Sequence, residues 1–280
     1  MTVSIIGLGL IGGSLAKDLH ANGFADRLIG VDNNVAHAQK ALDLGLVEEV
    51  LTLKDAVVQA DLIVITIPVG AIIPVLNTVL DLVNETKVVT DMGSTKHAII
   101  NSVAQHPNRL RYVPSHPMAG TENSGPEAAI ANLYAKRVAI ICDKENSAAD
   151  ALKRVEKMYK SLFMQLIYMN GVEHDVHTAY VSHISHISSF LLANTVLEKE
   201  KSTATIFNLA SGGFESTVRL AKSSPRMWAD VFSQNTENVA EVLQTYIDLL
   251  SDFKVKMLAG DYDYLYRQME KANAIRKILG

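Results

Sequence analysis

The stretch "SIIGLGLIGGSLA", residues 4–16, decides how the beginning of the chain folds. It holds Gly7, Gly9 and Gly12 in the G-x-G-x-x-G spacing, after an apolar run typical of a strand and at the start of a helical pattern. In such a turn the first glycine permits the tight bend, the second lets the backbone approach a pyrophosphate, and the third lets the helix pack on the strand. The stretch therefore predicts a phosphate-binding turn at a helix N-terminus.

An acidic residue further on indicates which nucleotide the turn would bind. Asp32 ends the second apolar run, about 20 residues beyond the glycines, where a carboxylate can bind both ribose hydroxyls. The same carboxylate would repel a 2′-phosphate, so the sequence favours NAD over NADP. Leu10, Ile11 and Pro68 complete the predicted cofactor-binding residues. Three alternatives stay open at this point: S-adenosylmethionine or flavin in a similar turn, or a chance glycine-rich turn.

The first part of the chain alternates apolar runs with helical patterns, which is typical of a doubly wound parallel sheet with helices on both faces. Several of the runs are apolar throughout, as expected for strands that are covered on both sides. The predicted strands lie at 3–9, 27–32, 61–69, 87–92, 110–115, 137–143 and 165–169.

No strand pattern follows residue 170, and the rest of the chain is predicted to be helical. Long apolar helices in so short a segment have too little of their own chain to pack against, so we expect them to pack on a second copy. The predicted fold is an α/β Rossmann-type doubly wound sheet (1–169) followed by an all-α helical dimerisation domain (170–280). The predicted helices are one long helix at 171–200, a shorter one at 203–210, a helix from Ser224-Pro225 up to Gly260 after a break at 211–214, and a last one capped by Asp261.

Composition excludes several classes of protein. The 280 residues carry a formal net charge of −4, which does not suggest a nucleic-acid surface. No run reaches the ~20 apolar residues of a membrane span, and no basic region precedes the first apolar run as in a signal peptide. Cys142 is the single cysteine and favours a reducing, cytoplasmic location.

Four histidines in the predicted long helix raise the question of a metal site. On a straight helix, His174 and His177 would lie on roughly the opposite side from His183 and His186, so the four could not share one ion. We therefore predict no metal. His174 and His177 are predicted to be solvated, and His183 to be packed in the interior.

Polar clusters follow the predicted strands at the edge where ligands bind in open α/β sheets. "DMGSTK" (91–96) supplies Ser94 and Lys96, and "PSHPMAGTENSG" (114–125) supplies His116 and Thr121. A neutral imidazole at a strand end can accept a proton from a hydroxyl while hydride leaves its carbon. His116 is therefore predicted to be a general base. Lys96 could contact a ligand or could equally be a surface lysine.

These motifs also carry a family resemblance. The chain resembles prephenate dehydrogenase, a tyrosine-pathway enzyme, and its close relative arogenate dehydrogenase, along nearly its whole length. The most specific motifs are "SHPMAGTE" and the R-x-A-x-S-x-P-x-x-W run that begins at Arg219. The family's fold, a Rossmann domain followed by a helical dimerisation domain, agrees with the two halves described above. The other matching stretches are "GLGLIGGSLA", "DMGSTK", "SHISH" and "GGFESTVRLAKSSPRMWADVF".

The resemblance implies an activity and roles for particular residues. NAD would take hydride from the carbinol carbon of prephenate, the ring carboxylate would leave as carbon dioxide, and 4-hydroxyphenylpyruvate would form. His116 matches the histidine that accepts the hydroxyl proton, Ser94 matches a serine that helps to orient that pair, and Arg219 matches the arginine that binds a substrate carboxylate. The resemblance also places Ser182 and His186 at the substrate. Thr121 is predicted to bind substrate from its cluster after the strand, whereas Trp228 is expected to pack beside the pocket without a chemical role.

Other functions remain open on the sequence alone. The amino group of arogenate would favour an acidic neighbour, for which Glu215 is a candidate. A β-hydroxyacid or imine reductase could share the two-domain plan, although "SHPMAGTE" is out of place in those families. A protein that binds NAD without turnover is the alternative outside enzymes, and it would be favoured if Ser94, His116 or Arg219 were absent.

Overall fold

A computed structural model describes residues 1–201 and 206–278. The first part of the chain forms one eight-stranded sheet, and the later part is helical, which confirms the predicted fold class. The strands are β1 (Thr2–Ile6), β2 (Arg27–Val31), β3 (Glu49–Val50), β4 (Leu62–Ile65), β5 (Val88–Asp91), β6 (Tyr112–Pro117), β7 (Val138–Cys142) and β8 (Gln165–Met169).

The sheet has the strand order β3-β2-β1-β4-β5-β6-β7-β8. The first six strands of this order are parallel, as in a doubly wound nucleotide-binding fold. The expectation of a wholly parallel sheet is wrong at its far end, because β7 is antiparallel to β6 and β8 is parallel to β7. The chain between β6 and β7 forms only a short 3₁₀ turn (Pro126–Ala128), which does not supply the crossover helix that a parallel pair usually needs.

Helices cover both faces of the sheet. Successive residues of β4 enter different cores: Leu62 and Val64 join the cluster under the first helices, whereas Ile63 and Ile65 join the cluster on the other face. This two-sided burial explains why the strands read as unbroken apolar runs. The helices of this part are α1 (Leu10–Ala21), α2 (Val35–Asp43), α3 (Leu53–Gln59), α4 (Val69–Leu82), α5 (His97–Ser102) and α6 (Ala149–Ser161).

The helical part begins at Gly171, two residues after β8 ends. The predicted long helix exists, but a π-helical turn (Ala179–His183) divides it into two α-helical pieces. A π turn leaves no mark in the hydrophobic pattern, so the sequence did not reveal it. The helices are α7 (Gly171–Thr178), α8 (Ile184–Glu200), α9 (Gly212–Val218), α10 (Pro225–Gln234), α11 (Thr236–Leu258) and α12 (Tyr262–Ala272).

The predicted starts of the last helices are confirmed. The Ser224 hydroxyl accepts a hydrogen bond from the Met227 N–H at the start of α10, and the Asp261 carboxylate accepts one from the Tyr264 N–H at the start of α12. Gly260 has a φ of +72°, a conformation that favours glycine and ends α11.

Three boundaries differ from the predictions. The predicted break at 211–214 exists but is shorter and lies earlier, because only Ala210 and the extended Ser211 separate the preceding turn from α9, which begins at Gly212. The predicted helix from Ser224 to Gly260 divides at Asn235, which has φ −125° and ψ 33° because its side chain bonds to other elements. The predicted helix at 203–210 lies partly outside the described residues, and Ile206–Leu209 form a 3₁₀ turn.

The last helices leave a broad apolar surface open in the single chain. Only Val239 and Val242 of the 23-residue α11 are buried. No helix within the described ranges is long and apolar enough to cross a membrane. The large apolar side chains exposed on α8, α11 and α12 include Leu191, Leu192, Leu197, Ile247, Leu249, Leu250, Phe253, Val255, Leu258, Tyr262 and Tyr266.

Candidate active site

The glycine turn between β1 and α1 has the geometry that a dinucleotide requires. Gly7 has a φ of +99°, and a Cβ on Gly12 would lie 2.0 Å from the Gly7 carbonyl oxygen, so neither position accepts a side chain. A Cβ on Gly9 would meet nothing within 4 Å, so its backbone is open to a ligand. The Thr66 hydroxyl, which sequence reasoning did not single out, donates to the Gly7 carbonyl oxygen at 2.6 Å and fixes the turn.

The other predicted cofactor residues lie at the same edge of the sheet. Asp32 follows β2, and its carboxylate accepts the N–H groups of Leu8 and Asn34 at 2.8 Å each. These two bonds orient the partly exposed carboxylate and leave acceptor positions for hydroxyl groups. Leu10 begins α1 with a buried side chain, so only its backbone can reach a phosphate. Ile11 is partly buried, and the exposed Pro68 follows β4 at the start of α4.

His116 lies in β6 and bonds to a second histidine from the helical part. Its Nδ1 atom is 2.8 Å from Nε2 of His174, whose Nδ1 atom is 2.7 Å from the Asp175 carboxylate. Asp175 also accepts the backbone N–H groups of Lys96 and His97 at 2.8 and 2.9 Å. The prediction that His174 is solvated is wrong, because it is fully buried in this chain of hydrogen bonds.

The charges in this chain of hydrogen bonds follow from burial. Burial, reinforced by His174 and Lys96, lowers the pKa of His116 well below its usual value. Burial also lowers the pKa of His174, although Asp175 opposes this effect. Burial alone would raise the pKa of the Asp175 carboxyl, but its hydrogen bonds outweigh that effect and lower it. At neutral pH both imidazoles are therefore neutral and Asp175 is ionised.

These charges fix which nitrogen of His116 carries its proton. An ionised carboxylate only accepts hydrogen bonds, so His174 must carry its proton on Nδ1 and leave Nε2 bare. His116 must then donate from Nδ1 to that bare nitrogen. A neutral imidazole has one proton, so Nε2 of His116 is unprotonated and can accept a proton. The arrangement selects the tautomer that a general base needs.

Lys96 is not a surface residue, contrary to one of the two expectations for it. Its side chain is fully buried and forms an ion pair with Asp91, at the end of β5. Asp91 also accepts the Tyr112 hydroxyl at 2.6 Å and the Gly93 N–H at 2.8 Å. A buried aspartate requires such a partner, which explains why this lysine at a helix start turns inwards.

Ser94 lies two residues before Lys96 in the sequence and, among the described residues, does not bond to His116. It is partly buried in the loop after β5. The neighbouring Thr95 is fully buried and donates from its hydroxyl to the Gln234 side chain at 2.6 Å.

The helical part contains a stacked pair of aromatic rings, His186 and Trp228. The His186 ring stacks on Trp228 with ring centroids 3.5 Å apart, and its Nδ1 atom donates to the Ser182 carbonyl oxygen at 3.1 Å. Trp228 is buried, as expected, and also packs edge-to-face against the His183 ring, with ring centroids 5.8 Å apart. His183 is buried as predicted, and its Nδ1 atom accepts a hydrogen bond from the Asn235 amide at 3.2 Å.

The π turn explains why His174 lies on a different side of the helix from the one that a straight helix would give it. At about 100° per residue, positions 174 and 186 of a straight helix would lie about 120° apart. A π turn takes in one extra residue, which removes about 100° of this separation. His174 and His186 therefore lie on nearly the same side, whereas His177 is exposed as predicted. Within 1–201 and 206–278, no group of three or more His, Cys, Asp or Glu side chains could hold a metal ion.

Arg219 connects the loop after β6 to the helical part. Its half-exposed guanidinium donates to the Glu122 carboxylate of that loop at 2.8 Å. The buried Ser189 hydroxyl donates to the Thr217 carbonyl oxygen at 3.0 Å and accepts the Ala221 N–H at 3.1 Å. Ser189 therefore holds the backbone on both sides of Arg219.

Two further candidates lie at the surface. Thr121 is exposed, and its hydroxyl accepts the Asn123 N–H at 3.2 Å within the loop after β6. Glu215 is largely exposed, and its nearest cation is Lys222 at 3.9 Å. Both side chains therefore have exposed partners only, as far as the described residues show.

The sheet order, the glycine turn and a hydrogen-bonded histidine at the end of β6 together define a dinucleotide-dependent oxidoreductase with a helical second region. The chain matches two family descriptions: "Prephenate dehydrogenase, nucleotide-binding domain" over residues 15–168, and "Prephenate dehydrogenase, dimerization domain" over residues 170–271. The chain belongs to the prephenate dehydrogenase family.

Individual relatives agree with this assignment. Cyclohexadienyl dehydrogenase of Zymomonas mobilis is 30% identical over 99% of this chain and 95% of its own length. The structure of prephenate dehydrogenase from A. aeolicus, in complex with hydroxyphenyl propionate and NAD+, superposes with a TM-score of 0.91 at 29% identity and covers 100% of this chain and 98% of that one. Synechocystis arogenate dehydrogenase has a TM-score of 0.79 at 26% identity, with 100% of both chains covered.

The buried histidines make the stability of the fold sensitive to acid. Burial lowers the pKa of His183 to about 4, from an ordinary value of 6.5. Between these two values the unfolded chain binds a proton that the folded chain does not, so stability falls as the pH decreases through this window and is constant above it. Each pH unit costs up to about 1.4 kcal/mol per histidine.

We expect the free energy of unfolding in urea to fall between pH 7 and pH 5, with about 2 kcal/mol contributed by His183. His183→Asn should flatten this profile, whereas the exposed His177 provides the matched control, His177→Asn, with an unchanged slope. Parallel profiles for wild type and His183→Asn would contradict the assignment of this proton uptake to His183.

Proposed function

We propose that the protein is an NAD-dependent dehydrogenase that converts prephenate into 4-hydroxyphenylpyruvate and carbon dioxide, a step of tyrosine biosynthesis. The observation that carries the proposal is the hydrogen-bonded series of His116, His174 and Asp175 at the end of β6, on the same sheet edge as the glycine turn. Family membership supplies the substrate class. The relative from A. aeolicus was crystallised with NAD+ and a hydroxyphenyl acid, and both fit this role.

The residues of the turn fit NAD. We propose that the backbone from Gly7 to Gly12, including Leu10 and Ile11, holds the pyrophosphate, and that Asp32 binds the adenosine ribose. Pro68 would border the nicotinamide. We also propose that the cofactor-binding domain comprises residues 1–169 and the helical domain residues 170–280.

His116 acts as the base in this proposal. NAD, when bound, supplies the acceptor for the hydride that leaves the carbinol carbon. The unprotonated Nε2 atom of His116 accepts the hydroxyl proton as the carbonyl forms. The imidazolium that results donates from Nδ1 to His174, and the negative charge of Asp175 at the far end stabilises it. Ser94 would help to orient the hydroxyl group.

The helical region binds the acidic parts of the substrate in the same proposal. Arg219 offers a planar fork of N–H donors, which suits a carboxylate, and substrate would compete with Glu122 for it. His186, held by its stacking on Trp228, and Ser182 would line the pocket, and Thr121 would close it from the loop after β6. These groups would bind the carboxylates by direct contact, so an anionic substrate can bind although the chain as a whole carries a negative net charge.

Two copies of the chain would form the working enzyme. We propose a homodimer through the helical region, because the apolar side chains exposed on α8, α11 and α12 form a surface too large for a stable monomer in water. The family description of residues 170–271 as a dimerization domain supports it. We propose a cytoplasmic location for the enzyme because its single thiol, Cys142, is buried and suits a reducing compartment.

Arogenate is the second candidate substrate. The Synechocystis relative is named for arogenate, and the Zymomonas relative carries the broader name cyclohexadienyl dehydrogenase. An amino group in place of the keto oxygen would need an acidic partner. Glu215 turns toward Lys222 at the surface, which leaves prephenate as the first candidate.

The deciding measurement is the rise in reduced-nicotinamide absorbance when purified protein and NAD are mixed with prephenate or with arogenate, and again with NADP. The proposal expects turnover of prephenate with NAD, and little turnover with NADP. A preference for arogenate would keep the mechanism and change the substrate. NAD binding without turnover of either compound would contradict the proposed function.

His116→Asn should lower kcat by roughly 10²–10⁴ with little change in KM for prephenate, since it removes the base and leaves the binding groups in place. Asp175→Asn should also lower kcat, by at least about tenfold, because an amide does not enforce the required tautomer. The matched control is Asp263→Asn on α12. Unchanged turnover in His116→Asn would remove His116 from the chemistry.

Arg219→Gln should raise KM for prephenate by roughly 10- to 100-fold and leave KM for NAD within about twofold, because it deletes a charge-assisted bond to carboxylate alone. Steady-state kinetics with each substrate varied in turn would measure this effect. Lys222→Gln removes a neighbouring cation from the same turn and serves as the control. An equal rise in KM in both variants would point to general electrostatics instead of a specific contact.

A further inference from the structure

One side chain of the helical part joins two loops of the nucleotide-binding part. Gln234 is the last residue of α10, and its Nε2 atom donates to the Val69 carbonyl oxygen at 2.8 Å. Its Oε1 atom accepts the Thr95 hydroxyl at 2.6 Å. Val69 begins α4, four residues after β4 ends, and Thr95 lies in the loop after β5. A single amide therefore bridges the segments that follow two neighbouring parallel strands.

These two loops carry residues to which the proposed function gives roles. Pro68 precedes Val69, and Ser94 precedes Thr95. Ligands of doubly wound sheets lie beyond the carboxyl ends of the strands, so the gap between these loops is where a nicotinamide ring would enter. The spacing of the gap depends on what holds the two loops together. Thr95 is fully buried, so water cannot replace Gln234 as the partner of its hydroxyl.

The next residue anchors the same point of the helical part. The Asn235 amide donates to the Asp175 carbonyl oxygen at 2.7 Å, and Asn235 is almost fully buried. Its bonds fix the junction of α10 and α11 from which the Gln234 side chain extends. The Gln234 side chain is therefore fixed both at its backbone, through Asn235, and at the two polar atoms of its amide.

We propose that Gln234 is a positioning residue that sets the distance between the loops of Pro68 and Ser94 and so shapes the pocket for the nicotinamide half of NAD. The proposal rests on the proposed function, since it takes NAD as the cofactor. It implies that the helical part completes the cofactor site although the phosphate-binding turn lies wholly in the other part.

The chemistry of the bridge requires an amide. Val69 offers an acceptor and Thr95 a donor, and only a side chain with both functions can satisfy the two at once. Gln234→Glu would place a carboxylate oxygen against the Val69 carbonyl oxygen, and Gln234→Leu would break both bonds. Thr95→Val would remove one bond and leave the side-chain volume nearly unchanged.

The test compares the binding of NAD with that of ADP-ribose, which lacks the nicotinamide, by calorimetry on the full-length protein. In Gln234→Leu and Gln234→Glu we expect the dissociation constant for NAD to rise about five- to tenfold, because binding the nicotinamide must then restore a loop spacing that one or two hydrogen bonds held in wild type. The dissociation constant for ADP-ribose should stay within about twofold of wild type. Thr95→Val should act in the same direction with a smaller effect, and should add little in the Gln234→Leu background.

A control and two contrary outcomes make the test decisive. Gln244 lies on α11, where its amide bonds to Asp248 at the surface, so Gln244→Leu should change neither constant. Equal weakening of NAD and ADP-ribose in the Gln234 variants, or no weakening of either, would overturn the inference while NAD binding by wild type keeps the proposed cofactor. If wild type binds neither NAD nor ADP-ribose, the proposed function fails and the inference falls with it.

Discussion

The Asp175 carboxylate is the interaction on which the arrangement of the site depends. It accepts hydrogen bonds from the His174 ring in its own helix and from the backbone N–H groups of Lys96 and His97 at the start of α5. The first bond orients the histidine series that reaches His116, and the other two attach the helical part to the sheet. One charge thus selects a tautomer and joins two regions of the chain.

A second buried charge lies beneath the first. Lys96 neutralises Asp91, which also accepts the Tyr112 hydroxyl and the Gly93 N–H, so the end of β5 is tied to the start of β6. Breaking one partner of such a pair typically costs about 3–5 kcal/mol because the other charge is left unpaired. The positive charge also helps to lower the pKa of His116, so the support of the site and its electrostatics come from the same residues.

The features that the sequence predicted well are local ones. The glycine turn, the Ser224 and Asp261 caps and the stop at Gly260 each depend on residues within a few positions of one another, and the structure places all of them as expected. Asp32 also follows β2 as expected, from its spacing to the glycines. His116 as the base was suggested by its place after an apolar run. The hydrogen bonds that support this proposal, to His174 and onward to Asp175, are visible only in the structure.

The features that were missed depend on contacts between distant parts of the chain. The two-residue β3 is too short to produce a pattern, and the reversal of β7 depends on which neighbour it pairs with. Lys96 resembles any lysine at a helix start until Asp91 is found beside it. His174 was predicted to be solvated on the assumption of a straight helix. Its partner His116 lies 58 positions away in the sequence.

Because of the π turn at Ala179–His183, the number of residues between His174 and His186 determines the angle between them around the helix axis. Removing one residue there would restore a regular helix and rotate everything beyond it by about 100° relative to His174. Loops elsewhere in the fold can gain or lose residues with small effect, but this stretch must keep its number of residues. Relatives that share the arrangement should therefore vary in the identity of these residues far more readily than in their number.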